Sequence, residues 1–200
     1  MERILTQAEA ICEAIEEEMA RDASVIVLGE GADDPIITYG TTKGLAEKFG
    51  PQRVFDTPLS EDAMTGVAIG ASLGGLRPIQ FHQRMDFLLL AMNQIVNIAA
   101  KSRYMYGGQE SVPIVIRSVI GRSWGQGAQH SQGLQSLFMN ISGLKVVAPT
   151  TPFDAKGCLI QSIRDDNPVM FIEHRMLHSL KGHVPEGSYT VPFGKARVLA

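Results

Sequence analysis

The sequence is poor in features that mark several common protein classes. It has two cysteines, Cys12 and Cys158, far apart in apolar helical patterns. A disulfide framework or cysteine metal cluster is therefore excluded, and a reducing, cytoplasmic compartment is the simpler interpretation. Positive and negative side chains are nearly balanced, because the chain has 18 Lys and Arg and 21 Asp and Glu, which gives a net charge of −3. A basic surface for nucleic acid or an anionic membrane is not favoured.

Long hydrophobic runs are also missing. The longest apolar-rich stretch, residues 87–100, is broken by Asn93, Gln94 and Asn97 and is too short and polar to cross a bilayer. The N-terminus is amphipathic and acidic, without the basic flank and apolar stretch of a signal peptide. Since 44% of the residues are hydrophobic, the chain still has ample material for one core.

Several ligand-binding motifs are absent. The five histidines show no zinc-ligand spacing, and neither G-x-G-x-x-G nor a phosphate loop occurs. The glycine-rich loop at residues 121–133 lacks the Lys-Ser/Thr pair that would hold a phosphate. The sequence therefore does not predict a zinc or nucleotide site of a common type.

What the sequence does have is a regular alternation of short apolar runs and helical patterns, punctuated by 20 glycines. This alternation is typical of a sheet with helices on both faces, so we predict an α/β three-layer sandwich with a mostly parallel six-stranded sheet. The predicted strands are 25–30, 54–58, 78–81, 113–119, 144–149 and 168–174. The predicted helices are 6–20 with Thr6 as N-cap, 42–50, 60–75, 87–105 as the longest, and 152–167. Because helix 87–105 is apolar nearly all round, we expect an oligomer to bury part of it.

Parallel sheets gather ligand-binding groups at the carboxyl ends of their strands. Four residues in such loops are candidates, each with a plain structural alternative. Glu61, at a helix start after Ser60, either complements the helix dipole or exchanges a proton with a ligand. Glu30 is either a solvated strand-end acid or a site carboxylate. Phe87 is either a core aromatic or a ligand contact, and His130 either an ordinary loop residue or a ligand contact.

Segments along nearly the whole chain match a known family. They include VLGE, FDTPLSEDAMTGVAIGASLGGLRPI, QIVNIAAKSRYMYGGQ, GAQHSQ and LKVVAPTTPFDAKGCL. On these segments the chain resembles the pyrimidine-binding domain of thiamine-diphosphate enzymes of the transketolase superfamily. It is most similar to the beta subunit of the decarboxylating component of 2-oxo acid dehydrogenase complexes. The resemblance implies the thiamine-diphosphate pyrimidine-binding fold.

The resemblance also implies roles for five residues. Glu61 would bond the aminopyrimidine ring and favour the imino tautomer, which takes the proton from the thiazolium carbon. Glu30 would lie near this proton relay, with Gln83 also in the cofactor-binding set. Phe87 would stack on the pyrimidine ring. His130 would face the substrate, stabilise its charge and assist transfer to a lipoyl group.

Metal sites are implied in two places. A monovalent cation, such as K⁺, would be held by Ile114, Asp165 and Asn167, although these residues also suit an ordinary helix-end turn. The family binds Mg²⁺ and the diphosphate through a Gly-Asp-Gly motif with a following Asn, which this sequence lacks. A diphosphate-binding alpha subunit is therefore the expected partner, in a heterotetramer containing a homodimer of this chain.

The implied organisation is a pyrimidine-binding domain at residues 1–180, with residues 181–200 beginning a linker to a C-terminal domain. The implied function is one half of a 2-oxo acid dehydrogenase. It would decarboxylate a small 2-oxo acid and transfer the acyl or aldehyde unit, and the chain alone would be inactive. The alternatives are a transketolase-like two-carbon transfer subunit and a non-catalytic assembly or regulatory domain.

The segment HQRMDF, residues 82–87, departs from the family pattern in being more basic. We expect His82 and Arg84 to add positive potential at the substrate mouth and Trp124 to add an aromatic wall. These residues would suit a larger or more anionic acceptor than pyruvate.

Overall fold

A single six-stranded sheet organises the computed structural model, which describes residues 3–122 and 124–195. Two further short strands form a separate pair. In chain order the strands are β1 Ile4–Thr6, β2 Val25–Gly29, β3 Val54–Asp56, β4 Arg77–His82, β5 Val115–Ile120, β6 Lys145–Val147, β7 Val169–His174 and β8 Lys181–His183.

The large sheet has the strand order β3-β2-β4-β5-β7-β6, and every neighbouring pair is parallel. The predicted six-stranded parallel sheet is thus confirmed. The carboxyl ends of β2, β4, β5 and β7 lie side by side at the centre of one edge. The loops that follow these strands are therefore brought together there.

Helices cover both faces of this sheet, as predicted. The α-helices are α1 Gln7–Arg21, α2 Leu45–Phe49, α3 Glu61–Leu73, α4 Ala100–Met105, α5 Gln135–Met139 and α6 Pro152–Arg164. One apolar core joins α1, α2 and α6 to the sheet through residues such as Ile11, Leu45 and Leu159. The other joins α3 and residues 85–99 to the opposite face through Ile69, Leu88 and their neighbours.

The N-terminus of α1 confirms the predicted cap. The Thr6 hydroxyl accepts a hydrogen bond from the Glu9 backbone N–H, and the Glu9 carboxylate accepts one from the Thr6 N–H at 2.7 Å. This reciprocal capping box satisfies two backbone donors that the helix itself leaves free.

The predicted long helix at residues 87–105 is wrong as a single α-helix. The chain forms a 3₁₀-helix at Met85–Ala91, a π-helix at Gln94–Ala99 and then α4. Within the described residues, α1 with 15 residues is the longest α-helix. The buried residues Met85, Leu88 and Ala91 are spaced by three, which keeps them on one face only at three residues per turn. Hydrophobicity alone did not reveal this change of period.

This helical path leaves an apolar surface uncovered. Leu90, Tyr104 and Tyr106 are more than half exposed, and Leu89 and Ile98 are also exposed. Large exposed apolar side chains along this segment are what the oligomer prediction requires.

The antiparallel pair of β1 and β8 was not predicted, because KGH has no strand pattern. Beyond it, the Tyr189 hydroxyl donates to the Phe153 carbonyl at 2.8 Å, and the Val191 N–H to the Gly157 carbonyl. Residues past position 180 thus pack on α6, while the domain boundary placed there stays a prediction.

A buried ion pair links the middle of the sheet. On neighbouring strands β5 and β7, the Arg117 guanidinium donates to both carboxylate oxygens of Glu173, at 2.7 and 2.9 Å, and both side chains are fully buried. Arg117 also donates to the Thr41 hydroxyl at 2.8 Å, and His178 bonds Glu173 at 3.0 Å. Burial alone raises the pKa of Glu173, but Arg117 and His178 outweigh it and lower this pKa to about 2.

No helix among the described residues is long and apolar enough to cross a membrane.

Glu30 owes its position to Gly29, whose φ is +138°. A Cβ at Gly29 would lie 2.1 Å from the Phe81 carbonyl oxygen, so Gly29→Ala adds both a clash and backbone strain. We expect it to lower the free energy of unfolding by about 3 kcal/mol or more in urea titrations. The control is Gly40→Ala, at φ +83° with open space around the Cβ, for which about 1 kcal/mol is expected. Equal losses of unfolding free energy in Gly29→Ala and Gly40→Ala would contradict the close approach at Gly29.

Glu173 should set the acid stability of the fold. Its pKa of about 2 lies below the unfolded value of 4.5. Its contribution is therefore present above the unfolded value and is lost as the pH falls through the folded one. In Glu173→Gln, urea titrations between neutral and acid pH should no longer show this acid-dependent loss of stability. The free energy of unfolding at neutral pH should fall by about 3–5 kcal/mol, because Arg117 loses its partner. Glu47→Gln, at an exposed carboxylate on α2, should keep the wild-type pH profile. If the stability of Glu173→Gln fell with pH in parallel with that of the wild type, Glu173 would not set the acid stability.

Candidate functional site

A cleft of about 420 Å³ opens at the carboxyl edge of the sheet. All five residues predicted to bind the cofactor or take part in catalysis line it: Glu30, Glu61, Gln83, Phe87 and His130. Leu59, Arg84 and Leu90 complete the lining. Parallel strands β2 and β4 bring Glu30 and Gln83 to this edge, and α3 begins beside them.

Glu30 forms an inner wall of the cleft and is only 8% exposed. Its carboxylate accepts a hydrogen bond from the Gln83 backbone N–H at 3.3 Å and lies 3.4 Å from His82 Nδ1. The Glu30 N–H in turn donates to the Phe81 carbonyl at 3.2 Å. These contacts fix the carboxylate in place, so the alternative of a freely solvated strand-end acid does not hold.

His82 does not lie where the sequence analysis expected it. It is 2% exposed, and its Nε2 is 3.5 Å from the Thr65 hydroxyl on α3. Strand alternation explains the error, because His82 and Gln80 share the face of β4 that packs on α3, and Gln80 also bonds Thr65. His82 is therefore a buried residue behind Glu30, and the prediction that it adds charge at the substrate mouth is wrong.

Glu61 differs from Glu30 in that its carboxylate is available to accept hydrogen bonds from a ligand. It is the first residue of α3 and half-buried, and its carboxylate accepts no hydrogen bond from any described residue. Ser60 occupies the predicted N-cap position, but its side chain makes no cap hydrogen bond. The carboxylate is thus left at the cleft with its accepting capacity free.

An aromatic pair also lines the cleft. The Phe87 and His130 rings are 5.2 Å apart at 76°, an edge-to-face contact. Both are half-buried and line the cleft, so Phe87 is not a plain core aromatic. Leu59 and Leu90, 80% and 60% exposed, leave the rim apolar.

Two residues that sequence reasoning missed, Tyr39 and Arg175, contact residues that line the cleft. Arg84 donates to the Tyr39 hydroxyl at 2.7 Å, and the Tyr39 ring stacks on Trp124 at 6.2 Å. The Arg175 guanidinium lies 5.5 Å from the Trp124 ring and donates to the His130 carbonyl at 3.0 Å. Arg175 directly follows β7, so its place at a strand end was the signal that could have found it. Trp124 itself is 73% exposed and is not among the residues that line the cleft, so the aromatic wall expected there stays a prediction.

A second cavity, of about 730 Å³, lies under the glycine-rich loop. Arg122, Ser131 and His174 are among its lining residues. Ser131 lines this cavity, whereas the preceding residue, His130, lines the cleft.

The three residues predicted to hold a monovalent cation make ordinary hydrogen bonds, and only Asp165 and Asn167 bond each other. The Asp165 carboxylate accepts from the backbone and side-chain N–H groups of Asn167, at 2.9 and 3.0 Å, and pairs with the Lys145 ammonium. The Ile114 carbonyl accepts from the Val169 N–H. Although burial raises the pKa of Asp165, the bonds to Lys145 and Asn167 outweigh it and lower this pKa. The cation site stays a prediction. Across the described part of the chain, no three His, Cys, Asp or Glu side chains are grouped to hold a metal ion.

Comparison with known proteins points to one family. The family described as "Transketolase, pyrimidine binding domain" matches residues 5–179. The chain is 51% identical to the beta subunit of acetoin:2,6-dichlorophenolindophenol oxidoreductase of Cupriavidus necator, covering 100% of this chain and 62% of that protein. It is 48% identical to the pyruvate dehydrogenase E1 beta subunit of Gracilaria tenuistipitata, covering 96% and 59%. It is 45% identical to the 2-oxoisovalerate dehydrogenase beta subunit of Bacillus subtilis, covering 98% and 60%.

A solved structure supports the same fold. The chain superposes on a split-gene transketolase, described as an inactive beta4 tetramer, with a TM-score of 0.68 and 19% identity over 86% of this chain and 51% of that one. The chain spans about 60% of the length of the curated relatives it matches. With residues 5–179 matched, the chain belongs to the family of transketolase pyrimidine-binding domains.

Proposed function

We propose that this chain is the pyrimidine-binding part of a thiamine-diphosphate-dependent 2-oxo acid dehydrogenase. It would take part in decarboxylating a small 2-oxo acid and transferring the resulting acyl or aldehyde unit. The observation that carries the proposal is the meeting of Glu30, Glu61, Gln83, Phe87 and His130 on one cleft. The names of the similar beta subunits support it.

The cleft fits an aminopyrimidine ring on chemical grounds. Such a ring has N–H donors at its edge and a flat apolar face. The Glu61 carboxylate has no hydrogen-bond donor among the described residues, and the Phe87 ring and the apolar rim supply contacts for the face. When bound, thiamine diphosphate supplies an acidic thiazolium carbon that can add to the carbonyl of a 2-oxo acid.

The chain's own residues would divide the work. Glu61 would accept a hydrogen bond from a nitrogen of the pyrimidine ring. Its negative charge would favour proton movement at that ring. Glu30, already held by the Gln83 N–H, fixes the inner wall beside it. Phe87 positions the ring by stacking. His130, held edge-on by Phe87, stands on the substrate side and donates to developing negative charge.

Part of the active site would come from a partner. We infer that a diphosphate-binding alpha subunit supplies the Mg²⁺ and diphosphate contacts, since the sequence has no Gly-Asp-Gly motif. The exposed apolar side chains of Leu90, Tyr104 and Tyr106 are available for subunit contacts, in keeping with a homodimer within a heterotetramer. The relatives' designation as beta subunits supports such an assembly.

Glu61→Gln tests the catalytic role directly. The amide keeps the size and one hydrogen bond but loses the charge. In the enzyme reconstituted with its alpha subunit, we expect hydrogen–deuterium exchange at the thiazolium carbon to slow by about a hundredfold or more. Cofactor affinity should fall less, because stacking on Phe87 remains.

The matched control is Asp62→Asn, which removes a charge from the same helix start. Asp62 is exposed and bonds Gln94 outside the cleft. Both substitutions should cost only about 0.3–1 kcal/mol of stability by melting curves, through the helix dipole. If Glu61→Gln and Asp62→Asn both exchange at the wild-type rate, Glu61 is a helix-start charge and the proposal fails. A non-catalytic domain would give that result.

The isolated chain should bind thiamine diphosphate weakly or not at all. The electrostatic attraction of Mg²⁺ for the diphosphate would be supplied by the partner. Calorimetry of the chain alone, with and without Mg²⁺, checks this against the reconstituted enzyme. Tight Mg²⁺-dependent binding to the chain alone would show that the diphosphate site has been assigned to the wrong subunit.

A further inference from the structure

The loop that carries His130 has few contacts of its own to hold it in place. No residue from 124 to 137 is buried, and Phe138 is the first side chain after the loop that enters the core. Gly125 and Gly127 both have positive φ, at +66° and +73°. A segment with so few buried apolar contacts has low local stability. His130 therefore keeps one position at the cleft only if other parts of the fold hold the loop.

Asp86 makes the main polar contact between this loop and the body of the domain. Its Oδ1 accepts hydrogen bonds from both the backbone N–H and the side-chain amide of Gln132, at 3.2 and 2.8 Å. Asp86 is only 7% exposed, and it lies on the 3₁₀-helix Met85–Ala91, which packs into the core. Hydrogen bonds to a carboxylate are stronger than those between neutral groups. Asp86 thus fixes the backbone of the loop two residues after His130.

The two neighbours of Asp86 contact the same loop. The Met85 Sδ accepts a hydrogen bond from the Leu134 N–H at 3.2 Å. On the other side, the Phe87 ring meets the His130 ring edge to face. Three consecutive residues therefore hold the loop at three points, and Asp86 is the middle one.

Arg175 holds the loop from β7 and links it to Asp86 a second time. Its guanidinium donates to the His130 carbonyl at 3.0 Å. Burial and the nearby Arg84 lower the pKa of Arg175, and the negative charge of Asp86 opposes this lowering. Asp86 therefore supports the charge of the side chain that bonds the His130 backbone.

We propose that Asp86 is a positioning residue that holds the loop so that the His130 imidazole stands at the substrate side of the cleft. This role rests on the proposed function, because His130 acts only if the cleft binds cofactor and substrate. Asp86 is not among the described residues that line the cleft, so it acts through His130 and not on the substrate. Its loss should impair the steps that use His130 and spare the proton removal assigned to Glu61.

Asp86→Ala in the enzyme reconstituted with its alpha subunit separates these steps. With pyruvate as the probe and 2,6-dichlorophenolindophenol as electron acceptor, kcat should fall at least about tenfold with little change in KM, because a displaced catalytic group costs rate more than binding. Hydrogen–deuterium exchange at the thiazolium carbon should keep its wild-type rate. A merely structural role would slow both reactions and would overturn the proposal.

Two further variants serve as rescue and control. Asp86→Asn keeps an oxygen that can accept from Gln132, so it should recover most of the lost turnover. Asp166→Ala removes an exposed carboxylate that pairs with Arg77 at the opposite edge of the sheet, and it should behave as wild type. Turnover as low in Asp86→Asn as in Asp86→Ala would contradict positioning by these hydrogen bonds.

A double-mutant cycle tests whether Asp86 acts through His130. His130→Ala should itself lower kcat, and adding Asp86→Ala to it should cause no further loss, since the two residues act as one unit. Losses that multiply in the double variant would show that Asp86 acts independently of His130, and the proposal would fail.

Amide hydrogen exchange of the full chain, followed by mass spectrometry, gives a readout that needs no substrate or cofactor. In Asp86→Ala the amides of Gln132 and Leu134 should exchange at least about tenfold faster, because the loop opens more often. Unchanged exchange there would overturn the proposal, whatever Glu61→Gln shows about the proposed function. If circular dichroism shows that Asp86→Ala does not fold, Gln132→Ala, at an exposed position, replaces it in both measurements. It should change both in the same direction, and no change in either would overturn the proposal.

Discussion

The Arg117–Glu173 ion pair is the contact on which the functional edge of the sheet depends. It joins β5 to β7, holds Thr41 of the loop after β2, and holds His178 through Glu173. The His178 ring in turn packs 5.0 Å from Tyr39, which bonds Arg84 at the cleft. Removing one member of a buried pair leaves the other charge stranded in the core, which costs several kcal/mol. The position of Arg84 at the cleft therefore depends, through Tyr39 and His178, on a buried ion pair that does not itself line the cleft.

On the opposite face of the sheet, hydrogen bonding distinguishes the two site carboxylates. Glu30 is buried and held by Gln83, with His82 and Thr65 behind it. Glu61 stands at a helix start with no donor among the described residues. One carboxylate thus fixes the shape of the cleft, and the other is left free to meet a ligand.

Much of this could be predicted from the sequence, because parallel strands are short buried runs and their carboxyl ends must meet. That rule alone predicts that Glu30, Glu61, Phe87 and His130 lie at the same edge of the sheet. It failed where side-chain direction mattered, as for His82, whose face of β4 depends on register. The change to 3₁₀ and π geometry from Met85 onward, and the contact of Tyr39 with Arg84, depend on segments far apart in sequence, which no local pattern predicts.

The small sheet formed by β1 and β8 has a consequence for synthesis. Its partners, such as Ile4 and His183, are separated by about 180 residues of chain. As the protein leaves the ribosome at about 5–20 residues per second, β1 waits roughly 10 seconds or longer for its partner. During that interval the start of α1 lacks the strand contacts that hold it. We therefore expect β1 and the start of α1 to be open to chaperones and proteases until β8 has been synthesised.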